Sequence, residues 1–321
     1  MLAIQAVRTG GPEVLEAVDL PVPSPGPGQA LVRHQAVGLN FIDTYHRSGL
    51  YPMKMPVVLG LEAAGVVEAL GEGVTRFEVG DRVAYNGTLG AYAEAAVVPA
   101  DRAVKVPDAV SLETAAAVLL KGMTAEFLVR RCHKVEPGQT VLIHAAAGGV
   151  GSILVQWAKA LGATVIATVG SEAKAALARE HGADHVILYG EEDVAARVSE
   201  ITGGEGVTVV YDGVGKDTFE ASLKSLGRRG MLATFGNASG PAPPIAPLEL
   251  GTKSLFLTRP RLFDYIATTQ ELDESAAALF AVLKSGAVKI EIGQTFPLAE
   301  ARAAHEALEG RRTTGATLLI P

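Results

Sequence analysis

Cysteine is almost missing from this chain of 321 residues, which carries only Cys132. A single thiol makes no intrachain disulfide and no multi-thiolate zinc site, so disulfide scaffolds are excluded and a reducing compartment is expected. Aromatic residues are scarce at 5%, with one Trp, and charged residues make up only 20%. No apolar run approaches the roughly 18 residues of a membrane span. The opening Met1-Leu2-Ala3-Ile4-Gln5 lacks the basic-then-apolar pattern of a leader, so a cytoplasmic location and no membrane partner are expected. Basic residues are outnumbered 28 to 35, giving a net charge of −7 and a pI near 5.6. That balance offers no general attraction for a phosphate backbone, and no nucleic-acid partner is expected.

What the chain does hold is apolar bulk, 48% of its residues, enough to bury a sizeable core. Its length suggests about two domains. Up to about residue 106, short β-type runs at 30–34, 65–70, 81–85 and 91–98 are separated by Gly and Pro, the pattern of a compact barrel or sandwich. From about 111 to 258 the period changes. Apolar strands at 140–144, 164–169, 185–188, 207–211 and 230–235 alternate with helices near 149–161, 172–181, 191–201 and 216–226. Strands without polar alternation suit a parallel sheet covered on both faces by crossover helices. Beyond residue 260 a helix over 268–284, a strand over 288–292, a helix over 300–309 and a strand over 316–320 are expected. These sixty residues are thin for an independent domain and are expected to pack onto the first part.

The strongest chemical signal is Ala145-Ala146-Ala147-Gly148-Gly149-Val150-Gly151, a small-residue turn between the first strand of the alternating region and its first helix. Small residues let the backbone approach a pyrophosphate, and the helix start offers N–H groups and a positive dipole end. Ala147, Gly148, Gly149, Val150 and Gly151 are therefore candidate cofactor contacts, although Ala146 replaces the first glycine of G-x-G-x-x-G. At the end of the second strand, an acid would accept from a ribose 2′-OH. Gly170 and Ser171 stand there instead, with Lys174 one turn on. An uncharged slot beside an ammonium suits a 2′-phosphate, so NADPH is expected over NADH. Glu172 dissents unless it faces solvent, and Tyr189 is placed to flank the adenosine end.

Asn40-Phe41-Ile42-Asp43-Thr44-Tyr45, Gly60-Leu61-Glu62-Ala63-Ala64-Gly65, Lys121-Gly122-Met123-Thr124, the small-residue turn and Phe235-Gly236-Asn237 together resemble the zinc-independent quinone oxidoreductases of the medium-chain dehydrogenase/reductase superfamily, to which zeta-crystallin is related. The likeness runs the length of the chain. It implies an α/β fold, with a Rossmann doubly wound parallel sheet over 122–259 and a GroES-like, mainly β catalytic domain over 1–121 that 260–321 completes. Zinc-using relatives place a metal-binding cysteine and histidine where Asn40 and Leu61 stand here, and add a cysteine lobe that this chain lacks. Leucine cannot coordinate zinc, which needs about three N, S or O ligands at a catalytic site. The seven histidines offer no substitute constellation, and no G-x-S-x-G elbow points to a hydrolase.

Without a metal, the chemistry left is hydride transfer from NADPH to an acceptor that needs no Lewis acid, a quinone or an activated carbonyl or enone. The resemblance implies Asn40 and Tyr45 as donors near a substrate oxygen, Asp43 orienting them, Tyr51 lining the wall, and Asn40 also touching the cofactor. It further implies cofactor contacts at Thr124, Phe235, Gly236, Thr258 and Arg311. The blander alternatives are plain packing for Tyr45, Tyr51 and Phe235, and a solvated helix residue for Lys174. Two rival functions stay open: an enoyl or 2-alkenal reductase, and a non-catalytic NADPH-binding protein of crystallin or RNA-binding type. Residues 254–258 read as the last strand of the parallel sheet, an edge whose pairing with a second copy predicts a homodimer.

Overall fold

Turn residues and short apolar runs divide residues 1–105 into eight strands: β1 (Leu2–Ala6), β2 (Leu15–Asp19), β3 (Gln29–Leu39), β4 (Val57–Val58), β5 (Glu62–Leu70), β6 (Arg82–Asn86), β7 (Ala95–Pro99) and β8 (Ala103–Lys105). A helix that the sequence pattern does not announce, α1 (Phe41–Ser48), follows β3. Next come α2 (Leu112–Phe127), β9 (Thr140–Ile143), α3 (Gly149–Ala160), β10 (Thr164–Val169), α4 (Glu172–Glu180), β11 (His185–Leu188) and α5 (Val194–Ile201). They are followed by β12 (Val207–Asp212), α6 (Phe219–Ser225), β13 (Leu226–Thr234), α7 (Pro247–Leu250), β14 (Phe256–Thr258) and α8 (Leu262–Tyr265). The chain finishes with α9 (Thr269–Lys284), β15 (Ile292–Pro297), α10 (Ala301–Glu309) and β16 (Ala316–Ile320). The structure is a computed structural model and describes residues 1–321.

Two units emerge. The first comprises Met1–Met123, Ile266–Phe280 and Ile290–Pro321, and the second Thr124–Tyr265 with Ala281–Lys289. In the first unit a three-stranded sheet runs β2-β1-β4, and a larger one runs β15-β16-β3-β5-β6-β8 with β7 also paired to β3. The eleven-residue β3 organises the larger sheet: β5 pairs along it, while β7 takes its beginning and β16 its end, all antiparallel. Its core is aliphatic apart from Phe77 and the fully buried Tyr85 and Tyr92.

The second unit is a six-stranded parallel sheet in the order β11-β10-β9-β12-β13-β14. Numbered from β9, this is the doubly wound order 3-2-1-4-5-6, whose direction of winding reverses between β9 and β12. Val141, Leu142, Val165, Ile166, Val209 and Val210 are all buried, as strands covered on both faces require.

Several elements differ from the sequence expectation. The expected helix over 191–201 begins later, because the Asp193 side chain caps it by accepting from the Ala196 N–H at 3.0 Å. The strand expected over 288–292 falls instead on Ile292–Pro297. Gln156 of α3 explains the shift: its Oε1 accepts from the Lys289 N–H at 2.8 Å and its Nε2 donates to the Lys289 carbonyl at 3.0 Å. With both backbone groups engaged by a side chain, Lys289 has none to give a ladder. The same pair ties the 281–289 stretch to the second unit, although the sequence expectation attaches everything after residue 260 to the first.

Candidate active site

In the second unit, β9 delivers the chain to the winding-reversal point, where the small-residue turn sits. Ala145 adopts a left-handed φ of 50°, and the Gly148 N–H closes the turn on the Ala145 carbonyl at 2.9 Å. Gly148 is the N-cap of α3, and no side chain caps that helix. A Cβ on Gly151 would lie 2.2 Å from the Ala145 carbonyl oxygen, so only glycine lets the helix start press this closely on the turn. The result is a backbone cradle at a helix N-terminus, suited to an anion.

Buried side chains brace this edge from below. His144, the last residue before the turn, places Nδ1 2.9 Å from Thr168 Oγ1 and Nε2 3.0 Å from Ser222 Oγ. Ser222 Oγ donates to Asp212 Oδ2 at 3.0 Å. Asp212 Oδ1 accepts from the N–H groups of Val214 and Gly215 at 2.8 and 3.0 Å. Burial lowers the His144 pKa against the opposing pull of Asp212, which leaves a neutral imidazole linking the ends of β10, β9 and β12.

One strand over, Gly170 follows β10. A Cβ there would fall 2.4 Å from Tyr189 Oη, so the tyrosine hydroxyl lies directly against this glycine. Ser171 caps α4, its Oγ accepting from the Lys174 N–H at 3.4 Å. Glu172 turns along the helix to Arg179 at 2.7 Å, with its carboxylate largely exposed. The slot after β10 thus combines Gly170, Ser171, Lys174 and Tyr189. Past β13, the ring of Phe235 lies against Gly213, and Gly236 comes so near that a Cβ would sit 2.2 Å from the Gly213 carbonyl. Thr258 ends the edge strand β14. The turn, the slot, Phe235, Gly236 and Thr258 therefore share the C-terminal edge of one sheet, while Thr124 is buried in α2.

The remaining candidates belong to the first unit. Asn40 is the N-cap of α1. Its Nδ2 donates to Glu62 Oε2 at 2.8 Å and to the Gly38 carbonyl at 3.3 Å. Asp43, three residues on, reaches back so that Oδ2 accepts from the Asn40 N–H at 2.9 Å and from Tyr92 Oη at 3.0 Å. Gly49, with φ 83°, stops the helix. Tyr45 and Tyr51 meet edge to face with centroids 5.4 Å apart, and the Tyr51 N–H bonds the Tyr45 carbonyl at 3.1 Å. Arg311 is separate from this group, in a left-handed turn after α10 with φ 57°.

A buried relay supports Asp43. Tyr92 Oη lies 2.9 Å from His305 Nε2, His305 Nδ1 lies 2.9 Å from Arg47 Nη1, and Arg47 pairs with Glu309 at 2.7 Å. A guanidinium only donates, so His305 must accept at Nδ1 and carry its proton on Nε2. From Arg47 through His305 and Tyr92, each donor then points toward Asp43. Burial, and after it the Arg47 charge, bring the His305 pKa down to about 3. Sequence reasoning singled out neither Tyr92 nor His305. Glu62 and Lys121 lie within motif stretches, but their partnership with Asn40 joins residues 22 and 59 positions apart, which no local pattern reports.

Leu61, buried beside Glu62, carries no donor atom. No group of three or more His, Cys, Asp or Glu residues is arranged to hold a metal ion, and no helix is long and apolar enough to cross a membrane.

Residues 26–108 match the family described as the alcohol dehydrogenase GroES-like domain, and 149–281 match the one described as zinc-binding dehydrogenase. A quinone oxidoreductase of Pseudomonas aeruginosa is 53% identical over 321 residues, covering 99% of each chain. A 2-haloacrylate reductase of a Burkholderia species is 49% identical over 98% of this chain and 97% of its own. The solved structure of Escherichia coli quinone oxidoreductase complexed with NADPH superposes with a TM-score of 0.98 at 48% identity, covering 100% of both chains.

Proposed function

Because the chain belongs to the zinc-independent quinone oxidoreductases of the medium-chain dehydrogenase/reductase superfamily, we propose that it reduces quinones with NADPH by direct hydride transfer and without a metal. The observation that carries this reading is the donor set at Asn40: the buried side chains at 40 and 61 are an amide and an alkyl group, neither suited to hold a Lewis acid. Alcohol and simple aldehyde chemistry leans on such an acid, whereas a quinone accepts hydride into a conjugated system that stabilises the developing charge itself.

The residues fit NADPH. The cradle that Gly151 keeps open would take the pyrophosphate on the backbone of 147–151. The slot of Gly170, Ser171 and Lys174 has no carboxylate turned into it, since Glu172 is paired with Arg179, and would take the 2′-phosphate beside Tyr189. Thr124, Phe235, Gly236, Thr258 and Arg311 complete the proposed contacts. The cofactor supplies a hydride, and a proton from solvent or protein completes the hydroquinone. Asn40, Tyr45 and Tyr51 orient the reactants, and Asp43 holds the N-terminus of α1 through the Asn40 N–H.

The 2-haloacrylate reductase relative supports a second reading, reduction of an activated C=C bond by the same transfer. We place the protein in the cytoplasm, in keeping with its single cysteine. We also propose a homodimer, formed by pairing of β14, whose Phe256 is 57% exposed on the sheet edge. Light scattering at a single-chain mass would refute the dimer.

The decisive assay follows loss of NADPH absorbance, with NADH in parallel, against para- and ortho-quinones and 2-alkenals. NADPH-selective quinone turnover is the expected result, and alkenal preference would favour the second reading. Lys174→Ala should weaken NADPH binding roughly tenfold, about 1.4 kcal/mol, while leaving NADH unchanged. Equal effects on both would remove Lys174 from the 2′-phosphate site.

A further inference from the structure

Glu62 and Lys121 belong to two of the stretches that mark this family, yet the hydride transfer as proposed uses neither. Glu62 opens β5 and is fully buried, as is nearly all of Lys121. The carboxylate is shared three ways: Oε1 accepts from the Leu120 N–H at 2.6 Å, and Oε2 from Lys121 Nζ at 3.0 Å and Asn40 Nδ2 at 2.8 Å. Space for it is built in. A Cβ on Gly38 would lie 2.2 Å from Glu62 Oε2 and 2.3 Å from the Ala116 carbonyl.

We propose that the buried Glu62–Lys121 pair is a positioning device that locks the Asn40 amide with its nitrogen inward, so that Asn40 serves the reaction as a hydrogen-bond acceptor through Oδ1. This rests on the reading that Asn40 is in the active site. A carboxylate can only accept, so the amide end facing Glu62 must be the nitrogen. Its second N–H is taken by the Gly38 carbonyl. Both donors of Asn40 are thereby spent within the protein, which replaces the donor role expected from sequence by an acceptor role. The group recognised is then an N–H or O–H, supplied either by the carboxamide of the nicotinamide or by the hydroxyl of the nascent hydroquinone.

Stability alone is a weak reason for such a pair. Replacing a buried ion pair with apolar or neutral groups of similar size is often neutral or stabilising, because desolvation offsets the attraction. Fixing one of two amide orientations that differ by a half-turn is a use for which a charge pair is suited and an alkyl pair is not. Lys121 balances the carboxylate, and Glu62 selects the amide edge.

The test uses full-length protein carrying Glu62→Gln, Glu62→Gln/Lys121→Met, Asn40→Ala and the triple combination. Glu62→Gln alone strands the Lys121 charge and should lower Tm. The double variant removes both charges and should recover most of that Tm, yet its kcat/KM should stay at least roughly tenfold down, because the introduced side-chain amide can present its own N–H₂ and turn the Asn40 amide around. In the Asn40→Ala background the same pair of changes should cost nothing further in kcat/KM. Recovery of both Tm and kcat/KM in the double variant would show a purely structural pair, and losses that multiply with Asn40→Ala would show that Glu62 does not act through Asn40. A weaker NADPH Kd in the double variant would assign the donor to the nicotinamide carboxamide. An unchanged Kd with lower kcat/KM for quinone would assign it to the substrate hydroxyl.

A readout independent of turnover is the Asn40 side-chain ¹H–¹⁵N pair, assigned by its loss in Asn40→Ala. It should be protected from exchange in the wild type, with and without NADPH, and lose protection in the double variant. An unprotected wild-type pair overturns the proposal. Absence of turnover on every acceptor, with that protection intact, would overturn only the functional reading on which it rests.

Discussion

Asp43→Asn is the substitution whose consequence can be worked furthest. Asp43 is fully buried, its Oδ2 takes two hydrogen bonds, and its Oδ1 has no partner. Burial pushes its pKa up from 3.8 to about 7, against the bonds from Asn40 and Tyr92 and the Lys121 charge, with Glu62 pushing the same way. The folded protein therefore holds a proton at Asp43 that the unfolded chain has already lost above its ordinary pKa. Stability from this group is full below about pH 4 and is lost as pH rises through about 7. Between about pH 5 and about pH 8 the loss amounts to roughly 2–3 kcal/mol at 1.36 kcal/mol per pH unit. An asparagine keeps a carbonyl for the Asn40 and Tyr92 bonds and has no charge to bury, so it lacks this slope. Urea unfolding of both proteins at the two pH values reads the difference, since other titrating groups cancel in the comparison. A gap between wild type and variant that does not move with pH would refute the reasoning, as would a carboxyl ¹³C titration placing Asp43 near an ordinary carboxylate.

Two further outcomes are expected. Gly151→Ala drives a Cβ into the Ala145 carbonyl and should lower both Tm and NADPH affinity, at a cost of roughly 1–3 kcal/mol; wild-type NADPH binding by fluorescence titration would show that the cradle does not need its glycine. Arg47→Met breaks the buried bond to His305 and the part-buried bonds to Glu309 and the Gly10 carbonyl and should cost roughly 1–3 kcal/mol in urea unfolding. It should also raise the His305 pKa, because Arg47 helps hold it down; an unchanged imidazole titration by NMR would count against the relay.

The second unit was legible in sequence because each of its strands is a short apolar run and each crossover a helical one, so period alone separates them. The turn at 145–151 and the slot at 170–174 are local in sequence, so their place after β9 and β10 could be read position by position. Helix α1 was not legible. Its buried residues are Asp43, Thr44, Tyr45 and Arg47 rather than an apolar set, and the helix is defined by its ends, the Asn40 N–H held by Asp43 and the left-handed Gly49. The donor state of Asn40 was hidden for a different reason: it depends on Glu62 and Lys121, which lie far along the chain and meet only across β3, β5 and α2. The strand misplaced at 288–292 had the right alternation but lost its backbone partners to Gln156, which no local pattern reports.

The division of the chain has a consequence for biosynthesis. The second unit is drawn almost wholly from one continuous stretch, so it can assemble soon after that stretch leaves the ribosome. The first unit must wait. The end of β3 finds its partner in β16, and Arg47 of α1 is neutralised by a glutamate 262 positions later. During most of translation the cation at Arg47 therefore lacks its carboxylate, and the first unit is completed only when α10 and β16 arrive.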